Sequence, residues 1–164
     1  MVARFLLVSG RPALRDGSLA AGLLAVTAVL AVVTGQPLVF PSLGPTAYVL
    51  ARTPRMGTAR RVVGGHAIGV VAGVLAYQLL AGGLVVTMAF PALGEASVRL
   101  GLAAVVAVGL TTAGMVALDA EHAPACATTL ICALGLLRTP LETVGILVSV
   151  VVLFGAYRLA VRVA

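Results

Sequence analysis

The sequence predicts an all-α membrane protein. Four long transmembrane helices and two short segments broken by proline and glycine are expected, arranged as a 3+3 inverted repeat. Three observations lead there. The chain is 61% hydrophobic and only 10% charged, with a mean hydropathy of +1.16. A soluble domain carries about 25% charged residues, so this composition belongs in a bilayer. Four apolar runs are long enough to cross a hydrocarbon core of roughly 30 Å. Two shorter apolar runs follow the first and the third of them. A single membrane domain over 1–164 is expected, with halves at about 1–83 and 97–164.

The first long run covers 17–34. Arg4, Arg11 and Arg15 precede it, as in a signal peptide, but it ends in "TGQPLVF" with no small-residue cleavage site. An uncleaved first membrane helix is the reading. The first short run, 38–51, lies within "FPSLGPTAYVLARTP". The second long run is 62–82 and the third 97–118. The second short run is "HAPACATTLICALGLLRTP", 122–140, and the last long run is 142–161. Both short runs have proline near their start, and they end alike in "LARTP" and "LLRTP".

Arginine placement tests whether the short runs cross. All eleven cations are arginines. If both short runs turn back, the arginines divide 6 against 5. If both cross, they divide 9 against 2, with only Arg99 and Arg138 on the minor side. The positive-inside rule supports crossing, most directly for the first short run. It also places the N-terminus in the cytoplasm, and the cytoplasmic (inner) membrane is the expected location. Fourteen helical residues reach only about 21 Å. An extended "PLVFPSLG" followed by a short helix from Pro45 would reach about 35 Å. Gly44 would permit the bend, and Pro45 would suit the first helical turn. The second short helix is expected to start at Pro124. Three crossings per half require the halves to be inverted, and paired broken segments mark the binding site in such repeats.

A broken segment leaves backbone N–H groups unpaired at its helix start, and they must lie inside protein or line a wet cavity. Helix N-termini attract anions. The expected anion site therefore joins Ser42, Gly44, Pro45 and Thr46 to His122, Pro124, Ala125, Cys126, Thr128 and Thr129. The four hydroxyls would donate to the anion; capping or backbone bonding is their competing role. His122 and His66 are the candidates for gating or proton coupling. For His66 the competing role is packing or a hydrogen bond to the arginine-rich loop. Asp119 and Glu121 are expected to pair with nearby arginines. Gly65, Gly69 and Gly73 form a smooth strip on one helix face, expected to pack within the chain.

Other functions find little support. The arginines come with no basic helix and no aromatic stacking motif, so nucleic acid is not an expected partner. Cys126 and Cys132 lack CxxC spacing and read as small hydrophobes. No HExxH, GxSxG or glycine-rich phosphate loop occurs. No catalytic residues, metal or cofactor are expected.

The stretches "FPSLGPTA" (40–47), "GGHAIGVVAG" (64–73) and "HAPACATTLICALG" (122–135) resemble the HPP family of small integral membrane proteins. With the helix pattern, the resemblance covers nearly the whole chain. The family is named for a His-Pro-Pro motif, which here reads His122-Ala123-Pro124. It is usually described with four transmembrane helices; the arginine count argues for two further short crossings. Some plastid and cyanobacterial members are linked to nitrite transport, so the resemblance implies a nitrite-like anion. The expectation is a channel or transporter for a small monovalent anion in the lipid bilayer, as a monomer or a homo-oligomer (dimer or trimer). The alternative is a structural or regulatory membrane subunit that transports nothing.

Overall fold

The computed structural model describes residues 2–137 and 139–163, with side chains from Pro12 onward. The side chains of Arg4 and Arg11, and residue Arg138, lie outside the described residues. The described secondary structure is helical: α1 (Val2–Thr34), α2 (Leu43–Arg52), α3 (Gly65–Ala76), α4 (Glu95–Ala117), α5 (Ala125–Ala133) and α6 (Pro140–Val163). Wider π turns at Arg60–Gly64 and Tyr77–Ala81 continue α3 at both ends. Four spans are long and apolar enough to cross a membrane: Pro12–Thr34, Arg60–Ala81, Glu95–Ala117 and Pro140–Val163. The protein is an integral, multi-pass membrane protein.

The first helix starts well before residue 17. Charged residues end an apolar run, but they do not end a helix whose backbone bonds to itself. Gly35 closes α1 with a φ of +65°, the left-handed position that glycine fills without strain.

Both short helices complete a run along the bundle that their own length cannot make. α1 heads away from Asp16, and α2 returns to it, because Arg52 at its end bonds Asp16 at 2.7 Å. α2 has ten residues, about 15 Å, and the non-helical chain 35–42 supplies the rest. α4 ends beside the start of the α3 span, where Arg61 meets Asp119 at 3.0 Å. α5 then runs to the opposite end: the N–H of Val86, in the α3–α4 connection, donates to the carbonyl of Leu134 at 3.1 Å. α6 comes back, and its Tyr157 lies against Gly57. Arg52, Arg61 and the Arg158 next to Tyr157 thus share one end, while Arg99 bonds the Leu80 carbonyl at the other. Ion pairs open to water contribute little; their value here is in fixing which ends meet.

The start of α2 corrects one expectation. The bend falls at 40–43, not at Gly44, and the helix begins at Leu43, not Pro45. Pro41 and Ser42 form a turn closed by the Leu43 N–H on the Phe40 carbonyl at 3.0 Å. Proline is favoured at the second position of such a turn. Gly44 is then an ordinary helical residue, and Pro45 still falls in the first turn, where no N–H is needed. α5 begins where expected: Pro124 caps it and Ala125 is its first residue.

α1 packs on α2 and α6, α3 on α4, α5 and α6, α4 on α5, and α2 on α6. Exchanging α1, α2, α3 with α4, α5, α6 turns every one of these pairs into another of them. The glycine strip is what lets α5 lie on α3. A Cβ at Gly69 would stand 2.8 Å from the Ala125 carbonyl oxygen, and one at Gly73 would stand 2.6 Å from that of Thr129. The strip packs within the chain, as expected. Gly69→Ala is expected to cost about 1–3 kcal/mol through overpacking. Gly109→Ala, where nothing lies within 4 Å, is the control. Thermal unfolding in detergent should separate the two; equal melting temperatures would refute this close approach.

Candidate functional site

The N-terminal turns of α2 and α5 meet on one imidazole. His66 projects from α3 and is fully buried. Its Nε2 lies 3.0 Å from Thr46 Oγ1 on α2, and its Nδ1 lies 2.7 Å from Thr128 Oγ1 on α5. His122 reaches the same Thr46 hydroxyl through its Nε2 at 3.4 Å. The two imidazole rings are 5.3 Å apart between centroids. The Thr46 hydroxyl also lies 2.8 Å from the Ser42 carbonyl oxygen. Thr46, His66, His122 and Thr128 are each at most 1% exposed. The cluster sits inside the bundle: Thr46 is about 9 Å along α2 from Arg52, and His66 is about 7 Å along its span from Arg61.

Two polar atoms in this cluster have no partner although they are buried: Ser42 Oγ and His122 Nδ1. Ser42 is the residue before α2, and His122 belongs to the turn that starts α5. An unpartnered buried donor or acceptor typically costs about 1–3 kcal/mol. Two of them at converging helix N-termini are the polar valences a small ligand would fill.

Local sequence explains the convergence. Each short helix opens on a turn closed between its first and fourth residues, Phe40–Leu43 at 3.0 Å and His122–Ala125 at 2.8 Å. Six residues after each turn begins stands a threonine, Thr46 or Thr128. The two threonines that grip His66 therefore stand at the same spacing from their turns. Ala123 replaces the middle proline of the His-Pro-Pro motif, yet the turn still closes.

The remaining expected residues divide. Pro124 and Ala125 are buried at the α5 start, whereas Gly44 and Pro45 are exposed on the outer face of α2. Thr129 faces α4, sharing a 2.8 Å bond with Thr111 and donating to the Ala125 carbonyl at 3.1 Å. Cys126 is half-buried and joins none of these bonds; both cysteines are free thiols. Asp119 and Glu121 do pair with arginines: Arg61 reaches both, at 3.0 and 3.4 Å, and Arg60 reaches Asp119 at 3.6 Å. These pairs tie the connection carrying His122 to the start of the α3 span. Thr111 was not an expected member. Its one signal in the sequence is the polar pair Thr111-Thr112 in a helix otherwise apolar from Leu100 onward.

An all-helical bundle with four spanning helices and two helices of partial height is a multi-pass membrane protein whose polar centre is built from broken segments. The family follows from the chain itself. Residues 11–163 match the family described as "HPP, transmembrane region", and the chain belongs to that family. No curated protein and no solved structure matches it.

Removing the Thr128 hydroxyl should leave His66 Nδ1 buried without a partner. Thr128→Val is expected to lose about 1–3 kcal/mol, read as a lower melting temperature in detergent. Thr112→Val, on the exposed side of α4, should melt like the wild type. If the two variants behave alike, the His66–Thr128 bond is not a structural link.

Proposed function

We propose that the protein passes a small monovalent anion, nitrite foremost, across the cytoplasmic membrane. The anion is held where the N-termini of α2 and α5 converge. The observation that carries this reading is the pair of partnerless buried atoms, Ser42 Oγ and His122 Nδ1, at that convergence. Two helix dipoles and a serine hydroxyl replace part of the anion's hydration shell. Nitrite is chosen because the chain belongs to the HPP family, some of whose members are linked to its transport.

The reading includes a 3+3 inverted repeat. Supporting it are the helix pairs that exchange with one another, the two partial-height helices at matching positions, and the matched Thr46 and Thr128. Such repeats characteristically hold their substrate between discontinuous helices. Charge supports the orientation: Arg52, Arg60 and Arg61 gather at the end where Asp16 lies, and the positive-inside rule favours the cytoplasm for that end. The chain is assigned no catalytic reaction.

The full burial of the cluster favours one other reading, a structural or regulatory subunit with a sealed centre. Flux separates the two. Proteoliposomes containing the purified protein are expected to take up nitrite faster than empty vesicles. Equal rates would sink the transport reading and leave the sealed subunit. A cysteine introduced at Arg55 is expected to react with impermeant label from the cytoplasmic side alone. Labelling from outside would overturn the orientation.

A further inference from the structure

The hydrogen-bond arrangement around Thr46 suggests an assignment of the protons on the two histidines. A hydroxyl has one hydrogen and two lone pairs. Thr46 Oγ1 has three neighbours: the Ser42 carbonyl oxygen at 2.8 Å, His66 Nε2 at 3.0 Å and His122 Nε2 at 3.4 Å. The carbonyl can only accept and is the nearest of the three, so the hydroxyl hydrogen is assigned to it. With that assignment both imidazoles donate through Nε2. A neutral imidazole has a single N–H, so both Nδ1 atoms are bare. That of His66 accepts from the Thr128 hydroxyl at 2.7 Å. That of His122 is buried and has nothing to accept from.

The one unfilled nitrogen of the cluster is thus a lone pair, at a place where helix ends attract negative charge. A bare anion meets repulsion there. An anion that brings a proton does not. We infer that the site takes its anion only together with one proton, carried on His122 Nδ1, so that the cargo is the conjugate acid and translocation is electroneutral. This rests on reading the cluster as an anion site.

The step balances without a further reactant. The acid's O–H bond breaks as the Nδ1–H bond forms. The imidazolium N–H then donates to the anion. On release the proton returns to the anion's oxygen. No electrons change hands.

The surroundings oppose an unaccompanied proton on His122. From α3, His66 stands 5.3 Å away as a second imidazole, and Arg60 and Arg61 flank the same connection. The carboxylates of that connection, Asp119 and Glu121, are engaged with those arginines. α2 presents Ser42 and Thr46, which are uncharged. α5 offers Cys126 as its one ionisable side chain near the turn. Glu121 Oε2 is buried without a hydrogen bond but lies 3.4 Å from Arg61. No contact among the described residues pairs His122 with a carboxylate, so the counter-charge assigned to a His122 imidazolium is the anion. Proton and anion stabilise each other in the site, which is the physical basis of coupled binding.

The test uses the full chain in proteoliposomes, nitrite as the probe, a trapped pH dye, and potassium–valinomycin potentials. Empty-vesicle rates are subtracted, because nitrous acid leaks through lipid. The protein-dependent rate is expected to rise with acid outside, to bring one proton in per nitrite, and to stay unchanged under potentials of either sign. His122→Gln keeps a polar side chain but cannot hold the extra proton; its proton-coupled component should fall to the empty-vesicle level. Wild-type coupling in that variant would overturn the role of Nδ1. Protein-dependent nitrite flux that follows the potential without protons would overturn the inference and leave the anion path standing. Absence of any protein-dependent flux would overturn both. The charge measurement uses the wild type alone, so a variant that fails to fold does not weaken it.

Discussion

His66 is gripped on both ring nitrogens, by Thr46 from α2 and by Thr128 from α5. Most of the architecture depends on that clasp. Each short helix begins inside the bundle, where its first N–H groups have no helical partner and hydrocarbon offers none. A single buried imidazole, with a nitrogen on each side, bridges the two starts and fixes their separation. Without it, two polar helix ends would be left in an apolar interior. With it, they define one shared polar centre, reached from opposite ends of the bundle by non-helical chain.

The clasp needs close packing, which small residues provide. Gly65, Gly69 and Gly73 bring the backbone of α5 against α3, close enough that a methyl at Gly69 would collide with a carbonyl. In lipid, helices gain little from hiding apolar surface, so close van der Waals contact and buried hydrogen bonds hold them together. The ion pairs at the Arg-rich end work differently. Exposed as they are, they contribute little energy, but they anchor the connection that carries His122 to the beginning of the α3 span.

The two halves are alike in scaffold and unlike in chemistry. Their helix pairings exchange, and their threonines match. Yet Phe40 opens one turn where His122 opens the other, and His66 belongs to only one half. A frame whose helix pairings exchange thus holds an asymmetric pair of imidazoles. Their bonding is unequal: His66 has a partner on both nitrogens, and His122 Nδ1 has none.

Much of this was legible in the chain. Composition alone placed it in a membrane, because so few charges cannot solvate so large a body. The arginine distribution pointed to a crossing by the first short segment, and the end of that segment does return to Asp16 of α1. The spacing of Gly65, Gly69 and Gly73 announced a close helix approach. Prolines marked both broken segments, although the bend fell at Pro41–Ser42 and not at Gly44, because turn closure at Phe40 and Leu43 depends on backbone geometry that glycine content does not reveal. What only the tertiary structure decided was which polar groups meet. His66 stood in sequence beside glycines and an arginine-rich loop, with nothing to connect it to threonines 20 and 62 residues away. Those contacts depend on three helices converging at one level inside the bundle, and local pattern carries no information about that distance.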